Sequence, residues 1–200
     1  MLIELSVFLL AAGIMQAVLL SVFLLLPSNI VQTRNRLLVV VLLTVAAGFG
    51  ELLLYGSGVS FSHPNYAYIG TLISLLQPPA IYLYTRSLMY CRFQIRLIHA
   101  VHLIPFAAGL IVFFTLYVPL PESEKITILQ QQDLPGMPEP LPLALVYHGV
   151  FLGWLGYSLG RLQSFNSDIQ RLYSDIARQQ ILWLRFLLSG YAVLWIVSII

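Results

Sequence analysis

The stretch YAYIGTLISLLQPPAIYLYTRSLMYCRFQIRLIHAVHLIPF, residues 66–106, links two apolar runs, 66–85 and 97–118, through a short hinge carrying Arg86, Arg92 and Arg96 and no acidic side chain. A span, a basic turn and a second span running back make a membrane hairpin. The bias of arginine and lysine toward the inner face places that turn in the cytoplasm.

Composition extends this reading to the whole chain. Of 200 residues, 59% are apolar and only 9% charged, with a mean hydropathy of +0.87, whereas soluble domains are roughly a quarter charged. So few charges cannot clothe a water-facing surface. In lipid, backbone polar groups must be satisfied within helices or a closed barrel. Barrel strands alternate over about ten residues, but these runs are continuous and about twenty long, the length that crosses a ~30 Å hydrocarbon core. The expected fold is an all-α integral membrane protein, a polytopic helical bundle.

The net charge of +2 comes from basic residues in a few turns. These residues contain no basic groove-reading helix, zinc-finger spacing or base-stacking platform, so they give no support for DNA binding by this part of the chain. A single cysteine, Cys91, excludes an internal disulfide and a cysteine-based metal cluster. No cofactor and no metal is expected.

Six spans are expected, at about 5–26, 37–55, 66–85, 97–118, 143–159 and 181–200. Pro27-Ser28-Asn29 ends the first, and Arg34 and Arg36 mark the next turn as internal. Residues 56–65 carry no lysine or arginine and belong outside. The third run is interrupted by Gln77-Pro78-Pro79, where two missing amide donors force a kink or an unwound turn. Residues 120–142 form a proline-rich, acidic, translocated loop with a lone Lys125. After the fifth run, Ser167 stands three residues before Gln170, a capping-box spacing that opens an amphipathic helix over 167–180. Basic and basic-poor turns alternate, so the N-terminus is expected outside. The sixth run reaches Ile200 without a polar flank, and a seventh span leading to a cytoplasmic domain is expected beyond it.

Pro79 with Tyr82-Leu83-Tyr84, then Arg86-Ser87-Leu88, then His102-Leu103-Ile104-Pro105-Phe106, and Trp183-Leu184-Arg185 carry a family likeness. In these stretches the chain resembles the N-terminal multi-span membrane domain of bacterial transcriptional regulators with a C-terminal AraC-type helix-turn-helix. The resemblance implies a membrane sensor in the bacterial inner membrane that passes a signal to a DNA-binding domain, with DNA as a partner only through that domain, which these residues do not contain. A small transporter or channel, or the input domain of a sensor histidine kinase, are the alternatives.

Among candidate sites Glu51 comes first, because an ionisable group within a span faces a cavity or a partner. At about 1.5 Å per residue it lies ~9 Å below the outer edge, and His148, entering from outside, sits ~8–9 Å deep. The two can pair in an outward pocket with the hydroxyls of Tyr55, Tyr66, Tyr68 and Tyr147; alternatively Glu51 is hydrogen-bonded between helices and the tyrosines form an interfacial belt. Gln77 is a further ligand-sensing candidate, with Pro78 and Pro79 as the hinge. His99 and His102 share a helical face, with no nearby carboxylate or cysteine to complete a metal set. Gly149, Gly153, Gly156 and Gly160 line one stripe of the fifth run. That stripe packs inside the bundle or, alternatively, forms a homodimer contact. No nucleophile with a base, paired carboxylates or phosphate-cradling loop is present in the sequence, so no enzyme activity is expected.

Overall fold

The computed structural model describes residues 2–26, 32–90, 93–131 and 141–169, together with Phe186, Ser189, Gly190 and Val193. Every regular element among the described residues is helical. Three stretches, Leu5–Leu25, Thr33–Gly56 and Leu97–Tyr117, are long and apolar enough to cross a membrane.

The first two runs form α1 (Leu2–Leu25) and α2 (Gln32–Gly56), packed against each other. Small residues allow the approach: Ala17, Ser21 and Ala46 are buried, and a β-carbon at Gly13 would meet the Phe49 ring at 2.9 Å. Asn35 Nδ2 donates to the Leu24 carbonyl at 3.2 Å, satisfying one of the orphan acceptors at the end of α1. Most of α1's remaining surface is exposed apolar side chain, Phe8, Met15 and Phe23 among them, as expected of a helix whose solvent is lipid. α2 starts earlier than the apolar run, because Gln32 to Arg36 are compatible with helix and their charges lie at its end.

Where the sequence predicts an interrupted third span, the chain forms two helices. A short α3 (Val59–Ser62) and a 3-10 turn Pro64–Tyr66 precede α4 (Ile69–Ser74) and α5 (Gln77–Met89). The break falls at Leu75-Leu76, whose amides bond to Leu72 and Ile73 carbonyls at 3.1 and 3.0 Å, three residues back. Pro78 and Pro79 then occupy the first turn of α5. There the missing amides coincide with donors that any helix start leaves free. Gln77, Pro78 and Pro79 are all buried.

The fourth run changes helical type along its length: a 3-10 helix over Leu97–Leu103, α6 (Ile104–Val112) and a π-turn Phe113–Tyr117. None of its residues is buried. One of its contacts with the third run is at Gly109, where a β-carbon would stand 2.5 Å from Leu75 Cδ1, at the break.

Two expectations need correction here. The loop over 120–142 contains α7 (Glu122–Gln130), nucleated after Pro121 with Glu122 and Glu124 favourably placed in its first turn; residues 132–140 lie outside the described residues. The fifth run is not a helix ending at 159 but α8 (Leu141–Ile169). Ser167 therefore lies within a continuing helix and does not cap a new one. No breaker follows Arg161, and the buried Leu162 extends the packed face made by His148, Phe151, Leu155 and Ser158. Residues 170–180 of the expected amphipathic helix are outside the described residues, as is the sixth run apart from the positions named.

Buried hydroxyls are satisfied on their own helices. Ser21, Thr44, Thr85 and Ser158 donate to carbonyls three or four residues back at 2.7–2.9 Å, as a water-free surrounding requires.

Candidate functional site

The two ends of the bundle differ in chemistry. At one end the start of α2 meets the end of α5, where Arg34 Nε donates to the Ser87 carbonyl at 2.8 Å. The two turns predicted to be basic thus lie together. At the opposite end α3, the Pro64–Tyr66 turn and α7 assemble over the end of α2: Tyr55 OH donates to the Leu129 carbonyl at 3.1 Å and Tyr117 OH to the Pro64 carbonyl at 2.8 Å.

Lys125 holds this second end together, and sequence reasoning missed it. The side chain is buried at 4% exposure. Nζ donates to Asn65 Oδ1 at 2.8 Å and to the Val118 carbonyl at 2.9 Å, and it lies 5.5 Å from the Tyr117 ring centre. Asn65 Nδ2 in turn donates to Glu122 Oε1 at 3.1 Å. Its signal in the sequence was that of one cation in an acidic loop, which reads as a solvated charge. Lys125→Met should lower stability by about 1–3 kcal/mol, because it strands the Asn65 and Val118 acceptors. Thermal unfolding of the detergent-solubilised variant checks this.

Glu51 is placed differently from the outward-pocket expectation. Its carboxylate accepts from the Thr71 backbone amide and from Thr71 Oγ1, the latter at 3.0 Å. Thr71 lies in the first turn of α4, whose N-cap residue Tyr68 supplies no side-chain cap and adopts a left-handed φ of 67°. A carboxylate from α2 therefore caps α4 across the helix interface. Gly70 makes room for it: a β-carbon there would stand 2.5 Å from the Ala47 carbonyl oxygen and 2.7 Å from Glu51 Oε2.

His148 is not brought to Glu51. It lies on the buried face of α8, and α8 packs on α5, which also packs on α2. Equal expected depth leaves azimuth open, and the Glu51 carboxylate is taken by Thr71 of α4 instead. Tyr55 serves the α7 contact already described, and Tyr66 is exposed, edge-on to His63 at 6.4 Å. Tyr66 does line a small cavity of about 150 Å³ with Leu54, Val59, Ser60 and His63, without Glu51 or His148. Tyr68 packs edge-on to Tyr117 at 5.0 Å; the side chain of Tyr147 is outside the described residues. Gln77 is buried at the start of α5, directly beside Pro78 and Pro79.

The glycine stripe does not serve as a packing face among the described residues, which leaves the homodimer alternative untouched. Gly149, Gly153, Gly156 and Gly160 are exposed, and among the described residues nothing lies within 4 Å of a β-carbon built on any of them. The packed face of α8 is the other one, because Phe151, Leu155 and Leu162 bury more apolar surface than a glycine stripe can.

At the basic end an aromatic cluster joins three elements. Tyr82 of α5 lies 5.0 Å from His102, 5.4 Å from Trp154 and 5.2 Å from Tyr157, and His102 meets Trp154 edge-on at 4.6 Å. His99 stacks on His102 at 6.2 Å, and among the described residues no three His, Cys, Asp or Glu side chains gather as a metal site. Against protein-family models, curated proteins and solved structures, nothing matches the chain.

Proposed function

We propose that the chain is the membrane input domain of a signalling regulator of the AraC-type helix-turn-helix class. In this reading it is a six-span, non-catalytic bundle of the inner membrane with its N-terminus outside, continuing past Ile200 into a seventh span and a cytoplasmic DNA-binding domain. The observation that supports it most is the meeting of residues from two separate stretches that carry the resemblance. Tyr82 of one meets His102 of the other, their rings 5.0 Å apart, and Arg86 Cζ lies 5.9 Å from the same Tyr82 ring, at the end where the basic turns gather.

The proposed mechanism uses the break between α4 and α5. A signal that alters the bend at Pro78-Pro79 moves α5, and with it the aromatic contact to α8, which leads toward the cytoplasmic side. Replacing Pro78 and Pro79 with alanine should change transcriptional output by about fivefold or more, the scale of an ordinary coupling free energy, while membrane insertion is retained. Unchanged output in the intact regulator would count against the mechanism. The coding frame beyond Ile200 tests the assignment itself: a kinase core would keep the sensor and change its output. The second reading, a small transporter or channel, is favoured by the broken helix alone and predicts solute flux in proteoliposomes.

A further inference from the structure

Between the exit of α5 and the Leu97–Leu103 helix lies a cavity of about 460 Å³, within the ~300–1,000 Å³ range of ligand pockets. Arg86, Arg96, Gln94 and His99 give it polar groups, and Tyr90 and Phe93 its aromatic walls. Among the described residues that line it there is no carboxylate. Arg86 Cζ stands 5.8 Å from the ring centres of both Tyr90 and Phe93, so aromatic faces orient the cation without neutralising it. The Arg86 Nε is buried and has no hydrogen-bond partner among the described residues. At the rim, the Arg96 amide donates to His99 Nδ1 at 2.9 Å, which fixes the second arginine's backbone against the cavity.

A part-buried guanidinium with no counter-ion among the described residues is costly until an anion compensates it, and guanidinium forks match phosphate oxygens in pairs. We infer that this cavity binds a phosphate-bearing anion, either the headgroup of an anionic phospholipid or a soluble phosphate compound. The exposed apolar rim formed by Ile95, Leu97 and Ile98, at 56%, 94% and 75% exposure, suits acyl chains beside a headgroup; a soluble phosphate would use the same arginines from the aqueous side. The site lies apart from the hinge and does not depend on which output domain follows.

The full chain, reconstituted in nanodiscs and then examined by native mass spectrometry, tests this. Phosphatidylglycerol and phosphatidylcholine are offered in equal amounts, with and without inorganic phosphate. Selective retention of phosphatidylglycerol, weakened about tenfold by Arg86→Gln and by Arg96→Gln but not by Arg36→Gln, supports the lipid source. Binding of inorganic phosphate without lipid selectivity, weakened by the same two variants, supports the soluble source. Arg96 is exposed, so its variant keeps the test intact should Arg86→Gln fail to fold. Neither lipid selectivity nor phosphate binding, or selectivity that only Arg36→Gln weakens, overturns the inference.

Discussion

Replacing Gly70 with alanine is expected to lower the unfolding midpoint of the detergent-solubilised protein by about 6–12 °C, the shift for ~3 kcal/mol in a chain of this size. The added β-carbon would lie 2.5 Å from the Ala47 carbonyl oxygen and 2.7 Å from Cβ and Oε2 of Glu51. Two of those obstacles are backbone or next to it and cannot swing away. α4 must therefore retreat from α2, which adds a lost carboxylate cap to an overpacking cost of about 1–3 kcal/mol. Gly149→Ala on the exposed face of α8 is the control and should raise the midpoint by about 1–4 °C, since alanine favours helix over glycine by about 0.5–1 kcal/mol. A midpoint that does not fall in Gly70→Ala would mean that α4 does not rest on α2 there.

Glu51→Ala should cost a similar amount, and for a reason that separates a structural cap from a ligand-binding acid. The carboxylate takes both the amide and the hydroxyl of Thr71, and in a water-free site each donor left unsatisfied costs about 1–3 kcal/mol. Glu51→Gln keeps an oxygen for one donor and should lose about half as much. Thr71→Val removes the hydroxyl alone, so the Glu51→Ala and Thr71→Val losses should fall short of additivity by about 1 kcal/mol. Full additivity would separate the two residues, and full stability in Glu51→Ala would return Glu51 to the role of a free acid facing a pocket.

What the sequence made legible was whatever depends on run length and on the sign of charge. Continuous apolar runs of about twenty residues become α1 and α2 because helix is the cheapest way to satisfy a backbone in lipid. The break near Pro78-Pro79 was legible because two absent amides can be accommodated only at a helix start. The gathering of basic turns was legible too, and Arg34 reaching the Ser87 carbonyl is its contact. Less legible was whatever depends on azimuth. Depth along a span put Glu51 level with His148, but azimuth decides the partner, and Glu51 turns to α4, where Thr71 takes its carboxylate. The partner that Glu51 does find, Thr71, carries no charge and so gave no signal. α8 passes its expected end because a charge at Arg161 does not by itself end a helix, and Leu162 continues the packed face. Lys125 was hidden by the opposite error, a charge assumed to be solvated that instead bonds to Asn65 and the Val118 carbonyl.

In the proposed topology the Lys125 end faces outward and the arginine end faces the cytoplasm. Single cysteines at exposed Gln94 and Gln130, introduced by Gln94→Cys or Gln130→Cys in a Cys91→Ser background, test it with a membrane-impermeant maleimide on spheroplasts before and after permeabilisation. Position 130 should label at once and position 94 only after permeabilisation. Labelling of both from the same side, or the reverse order, would contradict the account.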